Sequence, residues 1–299
     1  MISIKNISKC FGTIHAINDI SLTIQDGLVF GMLGTNGAGK STLLRMMAGI
    51  LKPDSGEIYI DGEPIWDNPK AKAKFFYISD NQYFYPNVTP ADLISFYKTY
   101  YPKFDESRFR TYLEKFDLDY QRKINTFSKG MKKQISILLG ICSGATYLFC
   151  DETFDGLDPV MRQAIKSLFM KEIEERALTP IIASHSLREL EDICDCIGLL
   201  HKGGVLLSKD LAELKCNLLK IQCVLPEEFD DILSKHLDIL KMQRRGKLLT
   251  MTVRGQEEKV LKVINSLNPI YCEALPLTLE EIFISETEVV GYDMQSLIH

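Results

Sequence analysis

The segment Gly34-Thr35-Asn36-Gly37-Ala38-Gly39-Lys40-Ser41-Thr42 decides how the rest of this chain is read. It follows Leu28-Val29-Phe30-Gly31-Met32-Leu33, a short apolar run suited to a buried strand. It opens Ser41 to Gly49, where Leu43, Leu44, Met46 and Met47 give a helical pattern. Strand, glycine-rich turn and helix in that order fill G-x-x-x-x-G-K-[ST] in the context the pattern needs. Glycines let the backbone fold tightly, so successive N–H groups point inward as an anion nest. The helix N-terminus adds partial positive charge. Lys40 can reach the β- and γ-phosphates of a bound nucleotide. The Ser41 hydroxyl can ligate Mg²⁺, a hard cation that prefers oxygen. By itself this loop reads as a cradle for a nucleoside triphosphate.

A second constellation narrows the reading. Tyr147-Leu148-Phe149-Cys150 is an apolar strand that delivers Asp151 and Glu152 at its carboxyl end. Ligands of open α/β sheets sit at that edge. Asp151 is a candidate Mg²⁺ ligand, and Glu152 a candidate base for water attacking the γ-phosphate. Further strands are read at Ile2–Lys5, Ile20–Ile24, Glu57–Ile60 and Ile181–Ser184, the last ending at His185. A hairpin is read around Gly203-Gly204. Thr89 to Lys123 reads as mainly helical, its stripe Phe96, Tyr97, Tyr100, Tyr101, Phe104 and Phe109 as core. Pro159 to Glu175 and Leu187 to Cys194 read as helices. This alternation predicts an α/β fold with a mainly parallel sheet.

From about residue 219 the texture changes to a βαββαβ order ending near Ser285, that of a small ferredoxin-like α+β unit. The expected division is 1–212 and 216–299, with a helical subdomain at about 86–140.

Composition excludes several classes. The 299 residues are 45% hydrophobic and 25% charged, ordinary for a globular chain. Lys and Arg number 35 against 40 Asp and Glu, a net charge of -5, so there is no global basic excess for nucleic acid. The longest mainly apolar stretch, Ile135 to Cys150, is interrupted by polar residues and glycines and is too short for a membrane span. With no secretory leader evident, the chain is expected in the cytoplasm. The eight cysteines include no C-x-x-C pair, so they are expected to be reduced and to act as small hydrophobes.

Taken together these motifs resemble the ATP-binding subunit of an ABC transporter. Thr126-Phe127-Ser128-Lys129-Gly130-Met131-Lys132-Lys133-Gln134 is similar to that family's signature loop. Asp155-Gly156-Leu157-Asp158 resembles its D-loop, and His185 its switch histidine. Phe11 stands where the family has an aromatic that stacks on adenine. The resemblance implies a P-loop NTPase cassette, with a mixed sheet and a helical subdomain, that binds ATP and Mg²⁺. It implies a sandwich of two cassettes, as homodimer or heterodimer, in which Ser128 and Gly130 face the nucleotide of the partner cassette. It also implies a separate transmembrane permease and a peripheral place on the inner membrane face. Leu277 to Phe283 looks like the tail of bacitracin, lantibiotic and drug exporter ATPases, which favours export.

Two departures stand out. Asp80 occupies the position of the family's loop Gln, with Gln82 two residues on, so a metal role for Asp80 is an expectation only. Thr153 replaces the usual Pro after Glu152, which predicts a looser turn. Lys129, Lys132 and Lys133 read as a solvated basic face. The rival readings are a soluble ABC-type ATPase acting on ribosomes or DNA, and a regulatory ATP-binding module with little turnover. A single P-loop and no long heptad insert between Lys40 and Ser128 weigh against the first; Glu152 and His185 weigh against the second, which Asp80 leaves open.

Overall fold

The structure is a computed structural model that describes residues 1–154, 156–210, 218–275, 277, 278 and 280–282. The chain divides into two compact units, Met1–Ser208 and Lys209–His299. The strands of the first unit are β1 (Ile2–Phe11), β2 (Ile14–Ile24), β3 (Phe30–Leu33), β4 (Ser55–Ile60), β5 (Glu63–Pro64), β6 (Phe75–Ile78), β7 (Tyr147–Asp151), β8 (Thr179–Ser184), β9 (Cys196–His201) and β10 (Gly204–Asp210). Its helices are α1 (Lys40–Met47), α2 (Pro69–Lys72), α3 (Pro90–Tyr100), α4 (Glu106–Lys115), α5 (Lys129–Cys142), α6 (Pro159–Arg176) and α7 (Leu187–Glu191).

These strands sort into two sheets. One is antiparallel, in the order β2-β1-β4-β5. Its register sets Ile2 beside Ile24 and Ile60, and Ile4 beside Leu22 and Ile58, and all six are buried. The other has six strands in the order β10-β9-β3-β8-β7-β6, with β9, β3, β8, β7 and β6 joined in parallel. Strand β6 has no counterpart in the sequence reading. Its run Phe75-Phe76-Tyr77-Ile78 carries the aromatic and β-branched signal of a strand, and Phe75 stacks on Phe149 with centroids 4.8 Å apart.

Helix ends follow local chemistry. Thr89 and Asp92 form a reciprocal capping box on α3, Asp105 caps α4, and Asp158 with Pro159 starts α6. Fully buried Glu172 on α6 holds Arg108 of α4 and Arg176 at 2.7 Å each. Arg176 in turn donates to the carbonyls of Ile141 and Ala145. A buried carboxylate needs such partners, and these tie the helical region to the sheet beneath α6. The aromatic stripe divides. Phe104 and Phe109 are core, whereas Phe96 and Tyr100 are 42% and 63% exposed, a departure from the core reading. Helical spacing aligns the rings, but α3 has a solvent side.

The second unit contains β11 (Leu218–Val224), α8 (Asp230–His236), β12 (Asp238–Arg245), β13 (Leu248–Arg254), α9 (Glu257–Asn265) and β14 (Tyr271–Leu275). Its sheet runs β12-β13-β11-β14, antiparallel throughout, a ferredoxin-like arrangement. Ile221, Cys223, Leu249, Met251 and Val253 form the core with Leu233, Val260 and Ile264 of the two helices. The expected boundary residues 211, 212 and 216, and parts of the tail Leu277–Phe283, lie outside the described residues. Among the described residues no helix is long and apolar enough to cross a membrane.

Candidate functional site

Parallel registration builds the site. Leu33 lies level with Ser184, Asp151 with Ala183, and Ile78 with Cys150. Residues that follow β3, β6, β7 and β8 therefore emerge along one edge: the glycine loop, Asp80, Glu152 and His185. A cavity of about 500 Å³ opens there, lined by Asn36 to Thr42, Asp80, Glu152 and His185, with Phe11 at the end of β1 and His15 near the start of β2.

The loop is shaped for close approach. Gly39 has φ +102°, and a Cβ there would lie 2.6 Å from the Ala16 carbonyl oxygen. A Cβ on Gly34 would lie 2.6 Å from the Leu200 carbonyl oxygen. Lys40 is buried, and its ammonium donates to the Gly34 carbonyl at 2.7 Å and the Thr35 carbonyl at 3.3 Å. The same Nζ stands 3.3 Å from Glu152 Oε1. The cation is thus held at the mouth of the nest, where anionic oxygens would be met.

The metal-ligating candidates meet directly. Ser41 Oγ donates to Asp151 Oδ1 at 2.8 Å, and the Tyr77 hydroxyl to Asp151 Oδ2 at 3.1 Å. Hydroxyl and carboxylate oxygens side by side suit Mg²⁺. Burial pushes the Asp151 carboxyl above its ordinary range, against the lowering effect of the Ser41 and Tyr77 hydrogen bonds and the Arg45 charge. Burial and then the Asp151 charge push the Tyr77 hydroxyl up to about 12, so it stays a donor. Asp80 is exposed and lines the same cavity as Ser41. Gln82 is absent from the wall, and its buried Nε2 has no hydrogen-bond partner among the described residues.

Glu152 is the most constrained residue of the site. Its φ is +46°, costly for a side chain with a Cβ. Its N–H donates to the Ala183 carbonyl at 3.0 Å. His185 Nδ1 is 2.9 Å from Oε2, while Lys40 takes Oε1. Two further groups tie this turn. Buried Thr153, in place of the usual Pro, donates from Oγ1 to the Asp151 carbonyl at 3.3 Å. Lys133 donates from Nζ to the Glu152 carbonyl at 2.6 Å.

Lys133 corrects the sequence reading. It is 1% exposed, not part of a solvated basic face, although Lys129 is exposed and Lys132 half-buried. The signal was present: Lys133, Ile137 and Ile141 are spaced four apart on α5, and all three are buried. Tyr77 and His15 were also missed, for want of a motif. Ser128 caps α5 by accepting from the Met131 N–H at 3.2 Å, and neither it nor Gly130 lines this chain's cavity. Of the D-loop residues, Asp155 lies outside the described residues.

A glycine-rich loop shaped as an anion nest, a Ser41–Asp151 oxygen pair that could hold a metal ion and a strand-end carboxylate lie along one edge, the arrangement of a P-loop nucleotide site. The family model for ABC transporters matches residues 17–155. The ABC transporter ATP-binding protein YtrB of Bacillus subtilis (strain 168) is 32% identical over 286 residues, covering 96% of this chain and 98% of that protein. The bacitracin transport ATP-binding protein BcrA of Bacillus licheniformis is 27% identical over 294 residues, covering 95% and 96%. Among solved structures, an ATP-binding subunit of an ABC transporter superposes with a TM-score of 0.66 at 25% identity, covering 72% of this chain and 92% of that one. The chain belongs to the ATP-binding proteins of ABC transporters. It is an ATPase subunit of that family, with ATP as substrate and Mg²⁺ as the accompanying ion.

Proposed function

We propose that this subunit powers export through a separate membrane permease, and that the residues around Glu152 carry the hydrolytic step. The observation that bears most on this is the double engagement of the Glu152 carboxylate, with Lys40 on one oxygen and His185 on the other. Gly34 to Thr42 would bind the phosphates, and Phe11, 49% exposed at the cavity rim, would stack on adenine. Ser41 and Asp151 would hold Mg²⁺, which when bound offsets phosphate charge. Glu152 would accept the proton of the attacking water, and His185 would orient that carboxylate. Asp80, on the wall of the same cavity as Ser41, is the remaining metal-ligand candidate.

Two such cassettes, identical or not, would close around ATP, with Ser128 and Gly130 of one facing the phosphates of the other. The helix start capped by Ser128 supports this, because its remaining N–H groups suit an anion. Export is supported by likeness along almost the whole chain to a bacitracin transport subunit. It is further supported by the tail beginning at Leu277. Tyr83 and Tyr85, 77% and 61% exposed, join Phe96 and Tyr100 in one chain of ring contacts. This aromatic surface follows the Asp80 loop and is our candidate contact with the permease, which would place the subunit on the inner membrane face.

Glu152→Gln tests the assignment. It keeps the shape and removes the base, so ATP binding should persist while turnover falls by about 10²–10⁴. The variant should accumulate as an ATP-dependent dimer on gel filtration. Near-normal hydrolysis would show that Glu152 is not the base.

A further inference from the structure

The sheet of the second unit has two unlike faces. Towards the helices β13 presents buried Leu249, Met251 and Val253. On the opposite face it presents Leu248, Thr250 and Thr252. Register places Lys241 and Lys220 on either side of Thr252, and Gln243 and Gln222 on either side of Thr250. Arg245 stands beside Leu248. Short side chains on the central strand, with long ones on both neighbours, make a trough along β13 of about 320 Å³. Neighbouring strands are about 4.8 Å apart, so the walls stand roughly 10 Å apart. Alternate residues along a strand are about 6.8 Å apart, so the lysine row lies roughly 14 Å from Arg245.

The trough is cationic in a chain whose net charge is -5. Glu281 also lines the trough and pairs with Lys220 at 2.5 Å, which leaves Lys241 and Arg245 as its excess charge. Glu273, in the next strand beyond Gln222, accepts from the Tyr271 hydroxyl. Lys241 and Arg245 have no acidic partner among the described residues. The side chains of Gln222, Gln243 and Thr250 make no hydrogen bond there either. Paired amides and a hydroxyl thus lie between two unneutralised charges, a donor and acceptor array that suits a peptide backbone.

We propose that this trough binds an extended acidic peptide segment of a partner protein, with carboxylates at positions i and i+4. In an extended chain those two side chains share a face and lie roughly 14 Å apart, matching the lysine row and Arg245. The alternatives fit less well. No aromatic side chain lines the trough to stack a base, as single-stranded nucleic acid needs. The strand N–H groups are committed to the sheet ladder, so no backbone nest is offered to a phosphate.

The test uses the full chain and a fluorescein-labelled nine-residue peptide of Ser and Thr with Glu at positions 3 and 7, followed by anisotropy at low salt. Binding should exceed that of the all-neutral peptide and weaken as salt rises. Lys241→Glu and Arg245→Glu should each lower affinity roughly tenfold, while Lys241→Arg should retain it. Unchanged thermal melting and ATPase activity would show that these surface variants still fold. The proposal is overturned if the peptide binds no better than its neutral counterpart, or if the charge reversals leave binding intact. With ATP saturating the nucleotide site, it is equally overturned if oligo(U) or inorganic tripolyphosphate displaces the labelled peptide more effectively than unlabelled peptide does.

Discussion

Replacing Lys133 by Met removes one charge from the interior of α5 and keeps most of the side-chain volume. Two quantities set the outcome. The first is stability. A hydrogen bond from a charged group is worth about 1.5–3 kcal/mol, and the orphaned Glu152 carbonyl would lose that much. Met also avoids the desolvation cost of a buried ammonium, which offsets part of the loss. A net destabilisation of about 1–2 kcal/mol is therefore expected, insufficient to unfold a domain of this size. The second quantity is catalysis. Glu152 is held at φ +46°, and the 2.6 Å bond from Lys133 is the restraint on its own carbonyl. Relaxing it would move the carboxylate away from Lys40 and His185. A displacement of about 1 Å in a catalytic group costs on the order of 10²-fold in rate. We expect kcat for ATP to fall about 10–100-fold, equivalent to about 1.4–2.7 kcal/mol in the barrier. KM should change little, because the phosphate nest and Phe11 are untouched. Steady-state ATPase assays beside urea unfolding would separate the two effects, and Lys133→Arg should recover part of the rate. A variant with kcat within twofold of the parent would refute the idea that Lys133 positions Glu152.

Lys40→Ala should weaken equilibrium ATP binding roughly 10–100-fold, since a buried phosphate contact loses its charge-assisted partner; an unchanged Kd by calorimetry would count against the Gly34–Thr42 cradle. Changing Tyr83 and Tyr85 together to Ser should lower stability by less than about 1 kcal/mol, because both rings are exposed. Basal ATPase should persist while copurification with the permease fails; a stable variant that still assembles and transports would dispose of the contact. Iodoacetamide at pH 8 should spare Cys142, Cys150 and Cys194 in the folded protein, since burial pushes each thiol up and keeps it protonated. Cys10 is only half-buried, with Sγ 3.2 Å from His15 Nδ1, and should be labelled before those three by peptide mapping. Uniform labelling of all four would contradict the buried placement of the other three.

Much of the site was legible in the sequence because its chemistry is local. The glycine loop depends on neighbours in the chain: glycines at left-handed positions, a strand behind and a helix ahead. Asp151 and Glu152 announce themselves by following an apolar run, and the Ser128 helix cap by the residue type that starts a helix. Wherever function rests on contacts between distant segments, the sequence was silent or misleading. Lys133 reads as surface because three lysines crowd one stretch, yet packing of α5 on all sides buries it against the turn of Glu152. Tyr77 belongs to a strand that became evident only beside β7, and only there does its hydroxyl reach Asp151. Phe96 and Tyr100 carry the spacing of a core stripe, and the free side of α3 leaves them in water. The trough of the second unit exists only because register sets Thr250 and Thr252 between longer neighbours. Backbone geometry and capping are written in consecutive residues. Burial and register depend on which elements stack and how their hydrogen-bond ladders align, and only the tertiary structure decides that.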